Sequence, residues 1–282
     1  MVKEISQYDK IMKISCCTIT TNLPKRYELL NNMIGSLNRC GTIFDEKIMS
    51  VNVFGGGNAD LTWFERFNNE WNVFYKNVDA RRSMILNQQN ALKNANNDII
   101  FYAEDDIIIN NIPQLDTIDK LFNGKFVNNK PVGFISYNNH VWINFNENPK
   151  HVIDFITNPD NYISINGDLF LIKNMAIRDR YYLNFPVSIF NKNILLSLHE
   201  YAMNHCIGIG IEAGLTKAWF DLGYHDNYEV LIYVKSEILD DINAGKEITV
   251  LDFYNYANMN FWNNDENLRH EAIGERGTYM IF

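Results

Sequence analysis

Three consecutive carboxylates, Glu104, Asp105 and Asp106, are the residues of this sequence best suited to chemistry. They follow the apolar run IIFYA and precede a second apolar run, III. Adjacent like charges are costly without cations nearby, and hard ions such as Mg²⁺ and Mn²⁺ prefer oxygen ligands and often share them with substrate phosphates. The cluster is therefore typical of a site for a divalent metal and a diphosphate, with a solvated acidic turn as the alternative.

The elements around this cluster indicate an α/β fold. Short apolar runs alternate with amphipathic stretches, which predicts strands over 13–21, 48–54, 71–76 and 98–103 and helices over 26–37 and 80–97. Such alternation implies parallel βαβ units and an open sheet covered on both faces. These sheets bind ligands at the carboxyl ends of their strands, where the three carboxylates are expected.

The second half of the chain is more mixed. Strands are predicted over 132–137 and 168–172, and a helix over 211–222 ends before Gly223. The sequence predicts one domain over 1–282, with a mostly parallel central sheet flanked by helices and a smaller mixed sheet in the second half. A closing loop is expected over 262–282.

The amino-acid composition and net charge limit the kinds of function that this protein can have. The chain is 46% hydrophobic and 21% charged, which is typical of a folded protein. Its formal net charge of -9 disfavours nucleic-acid binding unless one face is basic. Asparagine makes up roughly one residue in seven, which is typical of AT-rich viral or bacterial genomes.

Cysteine spacing and hydropathy indicate a cytoplasmic protein, either bacterial or in the host cytoplasm if viral. The four cysteines form no CxxC pair, so reduced thiols are expected. No apolar run approaches the roughly 20 residues of a membrane span, and residues 1–13 do not resemble a signal peptide.

Several segments together resemble the GT-A glycosyltransferases, enzymes that use nucleotide sugars. SCCTITTNLPKR resembles the family's nucleotide-recognising start. RRSMILNQQNALKNANNDIIFYAEDD resembles its donor helix, fourth strand and DxD-type motif, and GIGIEAGLTKAWFDLGY resembles its acidic residue and following helix. The resemblance implies a GT-A fold of the family 2 type, with 13–110 as the nucleotide-sugar donor half and 111–282 as the acceptor half.

The resemblance also implies roles for individual acids. Glu104 would bind the donor ribose or a metal-bound water, and Asp106 would ligate Mn²⁺ or Mg²⁺ with Glu104 and His270. Glu212 would be the catalytic base of an inverting enzyme. The family commonly has two adjacent acids there, whereas Ala213 follows Glu212.

Further residues are expected to contact a nucleotide-sugar donor, most simply a UDP-sugar. Polar groups at the end of the first strand are expected to contact the base and ribose, with capping of the turn as the alternative. Arg82, beside Arg81, is expected to bind the diphosphate. Tryptophans are candidates for stacking on sugar faces. The remaining candidates are Thr20, Thr21, Asn22, Arg26, Asp105, the Asn166-Gly167-Asp168 turn, Trp142, Trp219 and Trp262.

The function favoured by these patterns is metal-dependent hexosyl or pentosyl transfer from a nucleotide sugar to a glycan or another acceptor hydroxyl. A modified phage DNA base is a less favoured acceptor, because the net charge is negative. Inversion would use Glu212 as the base, whereas retention of configuration would need no base on the far face. Nucleotidyl transfer remains an alternative, although TTNLPKR is a poor match to its phosphate loop. A non-catalytic nucleotide- or carbohydrate-binding module is the other alternative.

Overall fold

The computed structural model describes residues 12–41, 43–53, 60–76, 83–124, 127–138, 147–173, 183–207 and 210–261. The strands in these ranges are β1 (Ile14–Thr21), β2 (Glu46–Asn52), β3 (Asn72–Lys76), β4 (Ile99–Glu104), β5 (Ile107–Ile109), β6 (Val132–Ser136), β7 (Tyr162–Ile165), β8 (Asp168–Ile172), β9 (Val187–Asn191), β10 (Glu229–Val234) and β11 (Met259–Phe261). The α-helices are α1 (Pro24–Arg39), α2 (Ser83–Asn94), α3 (Leu115–Asn123), α4 (Lys150–Ile156), α5 (Lys192–His205), α6 (Ile211–Asp221), α7 (Tyr224–Asn227), α8 (Glu237–Asn243) and α9 (Val250–Phe253).

One sheet runs through both halves of the chain. Its strand order is β3-β2-β1-β4-β9-β6-β10-β8-β7. The pairs β1–β2, β1–β4, β2–β3 and β6–β10 are parallel, and β8 and β9 run against the other strands. The first four strands follow the doubly wound order 3-2-1-4. The predicted α/β class with a mostly parallel central sheet is therefore confirmed.

Helices cover both faces of this sheet, and the alternation of side chains along β1 shows how. Cys16 packs into a core with α1 and α3, whereas Cys17 packs into a second core with α2, α5 and α6. Successive strand residues point to opposite faces, so a strand buried on both faces is apolar almost throughout. A third core joins α4, α8 and α9 to the strands β8 and β10.

The small second sheet consists of two antiparallel strands, β5 and β11. Strand β5 begins directly after the three carboxylates, and the Ile109 N–H donates to Ser36 Oγ of α1 at 2.9 Å. The Asn110 N–H donates to the Asn258 carbonyl at 2.9 Å, which extends the pairing beyond the strand. This small sheet therefore anchors the segment that follows the carboxylates.

The elements predicted from the pattern are present, with ends moved by a few residues. The helix predicted over 80–97 is described from Ser83 to Asn94, and 80–82 lie outside the described residues. Gly223 has φ +72°, a left-handed conformation that suits the end of a helix. No helix within the described ranges is long and apolar enough to cross a membrane.

Candidate functional site

The candidate site lies at the carboxyl ends of β1 and β4. These strands are adjacent and parallel, with Ile19 opposite Glu104. The chain leaves β1 toward β2 and β3 on one side, whereas β4 and the later strands lie on the other. An open α/β sheet binds ligands in the crevice at such a switch point. The Thr20–Asn22 turn and the three carboxylates are therefore at the predicted edge.

Asp105 is the buried anchor of the carboxylate turn. Its side chain has no exposed surface and forms an ion pair with Arg26 Nη2 of α1. Arg26 Nε also donates to Asp105 Oδ2 at 2.9 Å, and Thr20 Oγ1 donates to the same oxygen at 2.5 Å. These contacts fix the turn after β4 to the end of β1 and the start of α1. The side chains of Thr20 and Arg26 thus both bind the Asp105 carboxylate.

Glu104 and Asp106 flank this anchor. Glu104 is partly exposed, whereas Asp106 is 2% exposed. Arg26 Nη1 lies 4.0 Å from Asp106 Oδ2, so one guanidinium serves two neighbouring carboxylates. Burial, with the Glu104 charge next in importance, raises the pKa of the Tyr102 hydroxyl. In the described part of this edge, the Arg26 guanidinium is thus shared between Asp105 and Asp106.

Glu104 and Asp106 are the described side chains suited to hold a divalent metal here. The described residues contain no group of three or more metal-ligating side chains. Two carboxylates nevertheless fit Mg²⁺ or Mn²⁺, because these ions are commonly held by one or two carboxylates and complete their coordination with water and phosphate. The chemistry of the donor set is therefore compatible with a metal shared with a phosphate ligand.

Glu212 reaches the same edge from the far end of the chain. It lies in the first turn of α6, where the helix dipole favours a carboxylate. The Phe185 N–H donates to Glu212 Oε1 at 3.3 Å, and the Glu104 N–H donates to the Pro186 carbonyl at 2.8 Å. The consecutive residues Phe185 and Pro186 thus hydrogen-bond to Glu212 and Glu104, respectively. The structure brings Glu212 close to the carboxylate turn across 108 sequence positions.

Lys173 is a buried lysine whose pKa is influenced by Glu212. The lysine is 1% exposed, and burial lowers its pKa to about 8, an effect that the Glu212 charge opposes. A buried lysine is far more stable with an acid nearby than alone. The sequence analysis did not single out Lys173, since an isolated lysine after an apolar strand gives no signal.

Asp168 lies at the same sheet edge but away from the carboxylate turn. Strands β9, β6 and β10 separate β4 from β8, which corresponds to about 19 Å across the sheet. Asp168 accepts hydrogen bonds from the Gln114 N–H and the Tyr233 hydroxyl, both at 2.9 Å. Asn166 and Gly167 have φ +54° and +89° and form the predicted turn. The structure therefore does not bring Asp168 beside Glu104.

Thr21 and Asn22 close the turn after β1. Thr21 Oγ1 accepts from the Leu23 N–H at 3.4 Å. The Asn22 N–H donates to the Asn52 carbonyl at 3.2 Å, and the Asn22 carbonyl accepts from the Tyr27 hydroxyl at 3.2 Å. The main chain of this turn is thus held between β2 and α1.

One stacking candidate is wrong, and several candidates lie outside the described residues. Trp219 has no exposed surface, because it packs in the core beneath α6, so it cannot stack on a sugar. The candidates outside the described residues are Arg81, Arg82, Trp142, Trp262 and His270.

Asn87 of α2 is a site-supporting residue that the sequence analysis missed. Its Nδ2 donates to the carbonyls of Thr20 and Ser50, both at 3.1 Å, and Ser50 Oγ donates to its Oδ1. One buried amide therefore joins α2 to the ends of β1 and β2. The sequence feature that could have revealed Asn87 is a polar residue on the buried side of an amphipathic helix. This feature is hard to recognise here because the chain is rich in asparagine.

No family model matches the chain, and no curated protein sequence matches it. Solved structures do resemble it in architecture. Residues 1–349 of TarS from S. aureus in complex with UDP match with a TM-score of 0.44 and 14% identity over 82% of this chain and 63% of that one. The same TarS fragment with UDP-GlcNAc gives 0.46 and 13% over 78% of this chain and 56% of that one.

A third structure is glucosyl-3-phosphoglycerate synthase from Mycobacterium tuberculosis in complex with Mn²⁺, UDP and glucosyl-3-phosphoglycerate. It matches with a TM-score of 0.43 and 14% identity over 78% of this chain and 69% of that one. This chain thus spans less than two thirds of the TarS fragment.

Proposed function

We propose that this protein is a metal-dependent glycosyltransferase that moves a hexosyl or pentosyl group from a nucleotide sugar, a UDP-sugar, to an acceptor hydroxyl. One observation carries the proposal. The acids at the end of β4 lie at the switch point of the sheet, where ligands of such folds bind, and Glu212 of α6 is tied to the neighbouring residues Phe185 and Pro186. The alternatives compatible with this edge are nucleotidyl transfer and binding without turnover.

Asp106 and Glu104 hold the metal in this proposal, with His270 as a further ligand. A bound Mn²⁺ or Mg²⁺ would neutralise the charge of the departing diphosphate. Asp105 takes no part in binding the donor, because Arg26 and Thr20 already occupy its carboxylate oxygens. Its role is to hold the turn so that Glu104 and Asp106 are placed before the donor arrives, which lowers the cost of binding.

Glu212 is the proposed general base of an inverting transfer. Its carboxylate accepts the proton of the acceptor hydroxyl as that oxygen attacks the anomeric carbon, and a positioned base contributes about a hundredfold or more. The hydrogen bond from the Phe185 N–H holds the Glu212 carboxylate in place. The position of Glu212 in the first turn of α6 stabilises its charged form through the helix dipole. The single acid is sufficient for this role, since one base is required.

The remaining donor contacts are proposed from the same edge. Thr21 and Asn22 present the end of β1 to the base and ribose, and Arg82 binds the diphosphate. The donor half is 13–110 and the acceptor half is 111–282 of a single domain. We place the protein in the cytoplasm, a location that suits its four free cysteines.

The proposal is tested by pairing two substitutions with two readouts. Asp106→Asn should abolish turnover and weaken Mn²⁺-dependent UDP binding, whereas Glu212→Gln should lower turnover at least a hundredfold and leave UDP binding unchanged. Glu200→Gln, on the exposed side of α5, is the matched control and should keep full activity. Unchanged turnover in Glu212→Gln would reject the base.

The products separate the alternatives. A glycosyltransferase releases a nucleoside diphosphate, whereas a nucleotidyltransferase releases pyrophosphate. Tight UDP binding with no release of either product would support the binding module.

A further inference from the structure

A cavity lies at the opposite edge of the sheet from the carboxylate turn. Its volume is about 450 Å³, within the range of small-ligand sites. Lys130 and Glu229 line it at the starts of the parallel strands β6 and β10, and Lys173 lines it directly after β8, which runs against β10. The cavity is therefore at the amino ends of β6 and β10, whereas Glu104 and Asp106 lie at the carboxyl end of β4, which runs in the same direction.

The walls of this cavity combine apolar and polar side chains. Phe155 of α4 and Phe220 of α6 line it, together with Ile172 of β8. Ligand sites are lined mostly by such apolar and aromatic side chains, and a small number of polar groups fixes the orientation of the ligand. The cavity thus suits a molecule with an apolar body and one polar end.

Lys173 places a buried positive charge on the wall of the cavity. The side chain is 1% exposed, and burial lowers its pKa to about 8, an effect that the Glu212 charge opposes. The amine therefore carries its proton at neutral pH. An ammonium has three donors, so a bond to one neighbour leaves donors for a ligand. Little water screens a charge at such a position, which strengthens its attraction for a negative group.

His225 of α7 gives a second and independent indication of a ligand. It lines the same cavity, and its Nδ1 is buried without a hydrogen-bond partner within the part of the chain that the structure describes. The other ring nitrogen, Nε2, lies 3.5 Å from Asp226 Oδ1. A buried polar atom without a partner is costly, and in its Nδ1–H form this ring donates to a carboxylate oxygen.

The other charges of the lining favour a ligand with a single negative charge. Glu229 Oε1 lies 3.9 Å from Lys130 Nζ and accepts from Asn128 Nδ2 at 3.2 Å, so the charge of this acid is compensated. Asp160 is exposed, so water screens its charge. The two acids balance Lys130 and Lys173 in formal charge. This balance disfavours a multiply charged phosphate and leaves the buried ammonium as the place for one carboxylate.

We infer that this cavity binds a small monocarboxylate with an aromatic or aliphatic body. The carboxylate binds Lys173 and His225, and the body packs against Phe155 and Phe220. This second site is independent of the candidate donor site, because the two lie at opposite edges of the sheet.

The test is saturation-transfer difference NMR on the full chain at neutral pH. The probes are phenylacetate, phenylacetamide and phenethylamine, which carry the same ring with a negative, a neutral and a positive end. Phenylacetate should bind about tenfold or more tightly than phenylacetamide, because the charged end gains the interaction with a buried ammonium. Phenethylamine should bind most weakly.

Three variants locate the probe. Lys173→Met keeps a side chain of similar length without the charge, and it should lower the affinity for phenylacetate to that for phenylacetamide while leaving the latter unchanged. Lys93→Met, at an exposed position of α2, is the matched control and should bind as the unaltered protein does. His225→Leu removes the unpartnered nitrogen and should weaken phenylacetate severalfold, which keeps the test decisive if Lys173→Met fails to fold.

Competition distinguishes this site from the candidate donor site and a carboxylate from a phosphate. An excess of UDP with Mg²⁺, or of inorganic phosphate, should leave the phenylacetate signal unchanged. Absent binding of phenylacetate, equal affinity for the acid and the amide, full affinity in both cavity variants, or displacement by UDP or phosphate would overturn the inference.

Discussion

At the scale of single residues, the buried pair of Arg26 and Asp105 governs the carboxylate turn. Asp105 has no exposed surface, so removing its partner leaves a charge in the protein interior. Arg26→Met should therefore lower the free energy of unfolding by about 3–5 kcal/mol, measured by urea denaturation at neutral pH.

Two further variants test this account of the Arg26 pair. Lys217→Met removes an exposed ion pair to Asp221 within α6 and should leave the unfolding midpoint almost unchanged. Arg26→Met combined with Asp105→Leu should recover much of the loss, because no uncompensated charge remains. Equal effects of the single Arg26 and Lys217 changes would contradict the buried-charge explanation.

His199 should make stability depend on pH. It is fully buried, with Nε2 paired to Gln88 Oε1 at 3.0 Å, and burial lowers its pKa to about 3, assisted by the charge of Lys93. The unfolded chain binds a proton on this side chain below about pH 6.5 while the folded chain does not. The contribution is therefore complete above pH 6.5 and is lost as the pH falls from 6.5 toward 3.

The measurement is urea unfolding at several pH values between 7.5 and 4.5. The stability difference between the unaltered protein and His199→Gln should shrink by up to about 1.4 kcal/mol per pH unit below 6.5. His151→Gln, at an exposed position, is the control. A pH-independent difference for His199→Gln would show that the imidazole titrates alike in both states.

At the scale of elements, the close contact between β6 and α6 requires a glycine, Gly133, at one position of β6. A Cβ at Gly133 would lie 2.8 Å from the ring of Trp219 and 2.9 Å from Tyr228 Cβ. Gly133→Ala should therefore destabilise the protein by about 1–3 kcal/mol and displace α6, which carries Glu212. Thermal and urea unfolding check the first effect, and turnover checks the second.

Replacing Gly35 with alanine is expected to have the opposite effect on stability. It lies within α1, and an added Cβ would meet only the end of the Arg39 side chain at 3.8 Å. Gly35→Ala should stabilise the protein by about 0.5–1 kcal/mol, because alanine loses less backbone entropy in a helix. A stabilising Gly133→Ala would contradict the close packing of β6 against α6.

The sequence predicted the first four strands well and the middle of the sheet poorly. Strands β1 and β4 are continuous apolar runs, because both of their faces are buried, and such runs are visible without a structure. Strand β9 was missed, since Pro186 stands before it and its partners are β4 and β6, distant in sequence. Pairing between distant segments has no local signal, so the position of Asp168 four strands from β4 was not foreseen.

The sequence predicted which types of residue lie at the candidate site, but it did not predict which of these residues contact one another. The run Glu104-Asp105-Asp106 marked the edge, but the sequence does not show that Asp105 turns inward to Arg26. That difference arises because successive residues of a turn point in different directions. The connection of Glu212 to the edge through Phe185 and Pro186 likewise depends on tertiary packing.

At the scale of the whole molecule, the charge distribution fits a small anionic ligand at one edge and not a polyanion. The formal net charge is -9, and in the described part of the edge the charge of Arg26 is shared between two carboxylates. A nucleotide diphosphate would be repelled there unless a divalent cation accompanied it. Donor binding is thus expected to require metal.

The measurement that tests this account most directly is thermal unfolding of the full chain with nucleoside-diphosphate release. UDP-, GDP-, CMP- and dTDP-sugars are each combined with Mn²⁺, Mg²⁺ or EDTA. The account predicts that a UDP-sugar raises the unfolding temperature by about 5 °C or more at saturating concentration and releases UDP, only with metal and not in Asp106→Asn. Stabilisation by no nucleotide sugar, or equal stabilisation in EDTA, would contradict it.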